Sequence, residues 1–186
     1  MTLLICPGIH DPHLTQGLLD NLGRSLPTPL IVPADQPPYS AAHGWDVLMR
    51  SQPDVSSPLT VLAFSAGVVG AIGVAWAWYA RGYPLQQLIA VDGWGVPLYA
   101  PFPVYRVSHD AFTHWSSCPL GGTTHGFYAD PPVAHLDLWR SPHTATGWAV
   151  RPALGQPSCP IGLPAERTTA AAWLRQSLAS HLAPPV

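Results

Sequence analysis

Short apolar runs that stop at proline, glycine or aspartate alternate along the chain with stretches whose leucines recur at helical spacing. Thr2–Cys6 is the first run, halted by Pro7 and Gly8, and reads as a buried strand feeding a tight loop. Leu14, Leu18, Leu19, Leu22 and Leu26 follow at the spacing of one helix face. The pattern repeats, with residues 29–32 as a strand and 41–51 as a short helix carrying Trp45, Leu48 and Met49. It repeats again with Leu59–Phe64 as a strand and 66–80 as a helix of small residues. Leu85–Val91 and Val104–Ser108 are further strands, ending at Asp92 and at His109-Asp110, and Gly126–Ala129 is a short sixth. Between 111 and 160 prolines, glycines and tryptophans replace the alternation, which predicts a long irregular stretch. Residues 166–182 close the chain as a predicted helix, with Trp173, Leu174, Leu178 and Leu182 on one face. Strands alternating with helices imply a parallel sheet with right-handed crossovers. With no repeat or dividing linker, residues 1–186 read as a single α/β domain, a three-layer sandwich around a mostly parallel central sheet.

The hydropathy raises one competing reading. Residues 55–80 carry no charge and exceed the length of a bilayer span. Their first half has strand composition, Ser65-Ala66-Gly67 interrupts it, and no cationic anchor precedes Val55. A buried strand followed by a buried helix explains the same hydropathy, so no membrane span is expected. The chain is 47% hydrophobic and only 10% charged, the composition of a packed core. All eight cationic side chains are arginines scattered from Arg24 to Arg175. That spacing offers no basic stripe for nucleic acid. The net charge of -2 favours an uncharged or mildly polar small molecule over a strongly charged ligand. Cys6, Cys118 and Cys159 match neither a disulfide framework nor a zinc-ligand spacing and read as reduced thiols. The N-terminus lacks the basic segment of a signal peptide, which points to a cytoplasmic location.

In doubly wound α/β sheets, ligands bind at the carboxyl ends of the strands. His10, Asp11, Asp35, Ser65, Asp92, His109 and Asp110 fall there. Ser65 lies in Ala63-Phe64-Ser65-Ala66-Gly67, between a strand and a helix, with small residues two positions to either side. A serine there either caps the helix that follows or presents its hydroxyl beside the Ala66 N–H, where an oxyanion would form.

This segment resembles the G-x-S-x-G nucleophile elbow of the α/β-hydrolases, with alanine in place of the first glycine. The resemblance spans most of the chain from Thr2 to Leu182 and implies a minimal α/β-hydrolase fold. Val91–Gly95 and Phe127–Pro131 are also similar to segments of small bacterial, including cyanobacterial, hydrolase-like proteins. It implies Ser65 as nucleophile and Ala66 as one oxyanion donor, with Gly8, Ile9 and His10 forming the oxyanion loop, its histidine displaced from the family position. It implies Asp110 as the acid that orients the base, with Asp92 as the next choice, the place some lipases use. The base must follow the acid in the family's chain order, which leaves His114, His125, His135, His143 and His181. His135, just after the sixth strand, is the position the family favours.

The activity so implied is a serine hydrolase acting on an ester or thioester of a small apolar molecule, with no cofactor. A hydrolase-like protein that has lost turnover and binds a ligand or protein partner is the alternative. No metal is expected, because His10-Asp11-x-His13 and His109-Asp110-x-x-x-His114 match no H-E-x-x-H helix and come with no cysteine pair. Trp94, Tyr99, Phe102, Tyr105, Phe112, Trp115, Phe127 and Tyr128 either line an acyl pocket or fill core beneath the long stretch.

Overall fold

A computed structural model describes residues 1–23, 26–122, 125–151 and 163–179. Its strands are β1 (Thr2–Cys6), β2 (Leu30–Ile31), β3 (Leu59–Phe64), β4 (Leu85–Val91), β5 (Val104–Ser108), β6 (Gly126–Ala129), β7 (Thr146–Arg151) and β8 (Leu163–Thr169). The helices are α1 (Pro12–Leu22), α2 (Ala41–Arg50), α3 (Gly67–Tyr79), α4 (Ala111–Ser117), α5 (His135–Arg140) and α6 (Ala170–Ala179). All eight strands share one sheet in the order β2-β1-β3-β4-β5-β6-β7-β8. β1 to β6 pair in parallel, and β7 and β8 add antiparallel at one edge.

The central strands are apolar on both faces because both faces are covered. Leu3 and Ile5 of β1, Leu62 and Phe64 of β3, and Ile89 and Val91 of β4 pack into one core with Leu18 and Leu22 of α1, Trp139 of α5 and Leu174 of α6. The intervening residues Leu4, Cys6, Val61, Ala63, Leu88 and Ala90 pack into a second core with Leu48 of α2 and Val74 and Trp78 of α3. Side chains two apart in a strand share a face, so a continuous apolar run feeds both layers at once. Full burial of one such leucine, isoleucine or phenylalanine contributes about 1.5–3 kcal/mol, and the three layers rest on two such cores. The uncharged run 55–80 is thereby divided between β3 and α3, and among the described residues no helix is long and apolar enough to cross a membrane.

Three expectations need correction. The closing helix was expected over 166–182, but Glu166–Thr169 belong to β8, and α6 begins only at Ala170. Pairing with β7, in which Ala149 faces Glu166 and Gly147 faces Thr168, gives these residues backbone partners that a one-dimensional apolar pattern does not reveal. The β-branched Thr168 and Thr169 suit a strand; Leu182, like His181 and Cys159, lies outside the described residues. The sixth strand lies where expected, but the stretch from 111 onward is otherwise far more regular than expected, since α4, a 3-10 turn at Cys118–Leu120, α5 and β7 join β6 in occupying most of it as far as Arg151. At seven and six residues α4 and α5 are too short to show a helical period. The first helix, extended to Leu26 by its leucines, stops at Leu22, where Gly23 turns with φ +84°.

Candidate active site

The carboxyl ends of β3, β4 and β5 lie side by side, and each carries a polar residue. Ser65 follows β3 with φ +52°, and Asp92 follows β4 with φ +49°. Left-handed backbone costs a residue with a Cβ roughly 1–3 kcal/mol and is tolerated where the surroundings fix it. They do so here: the Ser65 N–H donates to the Val91 carbonyl at 2.9 Å, and the Asp92 N–H to the Val107 carbonyl at 2.8 Å. Each strand thus extends its ladder one residue into the turn and holds the side chain at the sheet edge.

Two glycines make the Ser65 turn possible. A Cβ on Gly8 would lie 2.8 Å from the Ser65 Cβ and 3.0 Å from the Phe64 carbonyl oxygen, and one on Gly67 would run into the carbonyl oxygens of Cys6 and Pro7. The loop after β1 therefore rests directly on the serine turn. Of the residues expected to form that loop's oxyanion site, Gly8 is buried and Ile9 is exposed. His10 turns its ring toward Phe64 and Trp139, with Nδ1 2.8 Å from the Asp11 carbonyl oxygen. Ala66, half-buried, begins the turn into α3. Cys6, just before this loop, is buried, and burial pushes its thiol up to about 12, which keeps it protonated and unreactive.

Asp92 is the hub of the site. Its Oδ2 lies 2.8 Å from His135 Nδ1 and 2.9 Å from His109 Nδ1, while its Oδ1 accepts the His109 backbone N–H at 2.8 Å. Its side chain is 1% exposed. Burial alone would raise its pKa, but the hydrogen bonds from His109 and His135, with the charge of His109, outweigh that and leave the carboxyl below its usual range. His109 moves the other way: the hydrogen bond it donates to Asp92 raises its pKa against the effect of partial burial, and the charges of Asp92 and Asp110 add to the rise.

His135 is the first residue of α5 and is held against the serine turn by stacking. The Phe64 ring, one residue before Ser65, lies 4.6 Å from the His135 ring at 24° and 4.9 Å from Trp139 at 18°. With Nδ1 directed at Asp92, the imidazole has Nε2 free for a proton. Asp110, the first choice for the acid on sequence grounds, is placed differently. Its Oδ1 accepts the Thr113 N–H at 2.6 Å as the N-cap of α4, and its Oδ2 lies 3.3 Å from His109 Nε2. The carboxylate that meets His135 is therefore Asp92, and Asp110 touches the second histidine. His109, not assigned a role in the sequence, joins the group because β5 ends one residue before it. The signal was present in His109-Asp110 at a strand end, but two adjacent polar residues do not reveal which one turns inward.

The remaining candidates lie elsewhere. Asp11 caps α1, accepting the His13 N–H at 2.9 Å. His114 is buried against Ser108 and Tyr128, and burial with the nearby Arg106 charge pushes it down to about 4. His125 stacks on Tyr105 near the opposite end of β5, and His143 is exposed. The described residues hold one compact group of metal-ligating types, Asp92, His109 and His135, with one ligand atom each within 4.8 Å of the others. Both imidazoles aim Nδ1 at the same carboxylate oxygen, which is the geometry of two N–H donors sharing an acceptor; ligands of one ion converge instead on a point between them.

A cavity of about 500 Å³ opens beside this group, lined by Asp92, Trp94, His109, Asp110, Phe112, Thr113 and His135. Trp94 and Phe112 are 62% and 71% exposed at its rim, and the Trp94 Nε1 donates to Ser116 Oγ at 3.0 Å. Phe102, Phe127 and Tyr128 are instead buried in the molecule, so the aromatic residues divide between pocket and core. Comparison with models of protein families finds no match, and comparison with curated protein sequences finds none either.

Proposed function

We propose that the protein is a serine hydrolase acting on an ester or thioester of a small, largely apolar molecule, with Ser65 as nucleophile, His135 as base and Asp92 as the acid that orients it. The observation that carries this reading is the 2.8 Å contact between Asp92 and His135, made where Phe64 stacks on His135 and leads straight into the strained Ser65 turn. An imidazole that gives its Nδ1 proton to a carboxylate keeps Nε2 as a lone pair, the form needed to take the proton of a serine hydroxyl.

In the reaction so proposed, Ser65 Oγ attacks the acyl carbonyl while its proton passes to His135 Nε2. The carbonyl oxygen becomes an oxyanion that accepts the N–H of Ala66 and an N–H from Ile9 or His10. Collapse expels the alcohol or thiol, which takes the proton from His135, and leaves an acyl group on Ser65. Water, deprotonated by the same imidazole, then releases the acid. The exposed faces of Trp94 and Phe112 favour an apolar group in the neighbouring cavity. No step draws on a cofactor.

The test is covalent labelling by an active-site-directed fluorophosphonate. The wild-type chain should be labelled with or without a chelator, and Ser65→Ala should abolish labelling while its melting temperature stays at or above that of the wild type, because alanine adds no strain and loses no hydrogen bond to the backbone. Failure to label folded wild type would overturn the reading.

A further inference from the structure

We propose that His109 is a positioning residue: as an imidazolium held between Asp92 and Asp110, it fixes the Asp92 carboxylate that His135 meets. This rests on the hydrolase reading for its consequence, but the clamp itself is a matter of geometry. The Asp92 carboxylate has three hydrogen-bond contacts among the described residues, and two of them come from His109: the backbone N–H on Oδ1 at 2.8 Å and Nδ1 on Oδ2 at 2.9 Å. A carboxylate gripped at both oxygens by one residue cannot rotate about its Cβ–Cγ bond without losing both contacts. Its remaining free direction at Oδ2 is then the one His135 uses.

The second nitrogen of His109 completes the case. Nε2 lies 3.3 Å from Asp110 Oδ2, so each ring nitrogen faces a carboxylate. A neutral imidazole has one N–H and could serve only one of them; the doubly protonated ring serves both. Among the described residues, the titratable groups against His109 are Asp92 after β4, Asp110 at the start of α4 and His135 at the start of α5, with the two imidazole rings 6.1 Å apart and nearly perpendicular. The loop between β6 and α5 meets the backbone of His109, with the Val133 N–H donating to the His109 carbonyl at 3.0 Å. Two anions against one neutral imidazole favour the cation, in line with the upward direction of the His109 pKa. A positive charge placed there also offsets part of the Asp92 charge that His135 experiences.

His109→Asn and His109→Ala separate the clamp from the charge. Asparagine places an amide N–H close to where Nδ1 stands and carries no charge, whereas alanine removes both. Alanine is expected to slow fluorophosphonate labelling about 10- to 100-fold, the size of effect that follows from a misplaced catalytic group. Asparagine is expected to restore most of the rate, with the acid limb of the pH–rate profile moved to higher pH because a positive charge has left the Asp92–His135 pair. In the imidazole ¹⁵N spectrum of the full-length protein, His109 should show protons on both nitrogens at neutral pH, and Asp92→Asn should abolish the slow exchange of its Nδ1 proton. Wild-type rates and profiles in both variants, or a His109 Nδ1 without a proton, would overturn the proposal. Should folded wild type not be labelled at all, the hydrolase reading fails on its own, and the spectrum still decides whether the clamp exists.

Discussion

Two charged side chains are buried within a few residues of each other in this fold, and they are satisfied in opposite ways. Arg106, on β5, is 4% exposed and donates to four backbone carbonyls: Gly121 at 2.9 Å, Val96 at 3.1 Å, Leu120 at 3.4 Å and Gly93 at 3.5 Å. Asp92, 7% exposed, is met instead by two imidazoles and a backbone N–H beside an open cavity. Carbonyls cannot change their protonation, so the arginine is a fixed tie between the loop after β4 and the loop after α4. Burial lowers Arg106 only to about 10, which leaves it charged at neutral pH. Imidazoles exchange protons near neutrality, so the carboxylate sits in a group whose charge can move. The contrast separates a buried charge held by backbone carbonyls from one held among groups that titrate, and the two are joined, because Arg106 donates to the carbonyl of the residue that follows Asp92.

The strongest test of that contrast is Asp92→Asn. Asparagine keeps an acceptor for the His109 N–H but offers His135 an amide, so the imidazole loses the partner that fixes its tautomer. Labelling and hydrolysis should fall by about 10³- to 10⁴-fold, the scale found when the acid of a serine triad is neutralised, with the fold retained by circular dichroism. Asp110→Asn keeps the cap of α4, since asparagine caps as well as aspartate, and should fall far less. A rate for Asp92→Asn close to the wild type would place Asp92 with Arg106 among purely structural charges.

Arg106→Met should show the reverse pattern. It leaves four carbonyls without their donor and should cost about 4 kcal/mol of stability, read as a drop in melting temperature of about 10 °C for a chain of this size. Labelling per folded molecule should fall much less than in Asp92→Asn. A collapse of activity at an unchanged melting temperature would show that Arg106 acts on the chemistry and would erase the distinction.

Much of this arrangement was legible in the chain. β3, β4 and β5 carry the site and lie where the apolar runs placed them, because strands buried on both faces are uninterrupted in sequence. Ser65 and His135 were marked by what surrounds them: small residues about the serine and a short strand before the histidine. The choice between Asp92 and Asp110 was less legible, since both end strands. What decides their contacts is the left-handed turn that directs Asp92 inward and the short helix that takes Asp110 as its cap. His109 was hidden for the same reason. β8 was lost because prolines and glycines crowd the sequence between it and β7, and because the apolar face of α6 masks the change of element at Ala170.

The smallest effect sets the two regions apart by pH. His114 lies beside Arg106 and is pushed down to about 4 by burial first and by the Arg106 charge second. Below its ordinary value of 6.5 the unfolded chain takes up a proton that the folded one refuses, so stability should fall as pH drops from 6.5 toward 4, by about 2 kcal/mol between pH 7 and pH 5. His109 runs the other way, whereas Asp92 has the same sign as His114 but acts at lower pH. His109, with its pKa raised, contributes stability that is complete below 6.5 and lost as pH rises through its folded value. Asp92, with its pKa lowered, contributes stability that is complete above 3.8 and lost as pH falls through its folded value. Melting curves across this range should therefore show an acid slope that His114→Gln flattens and an alkaline slope that His109→Asn flattens. Because Arg106 supplies part of the His114 shift, Arg106→Met should also soften the acid slope, whereas Asp92→Asn should leave it in place between pH 7 and pH 5. An acid slope that follows Asp92 and ignores Arg106 would mean that the two buried charges are electrostatically one site.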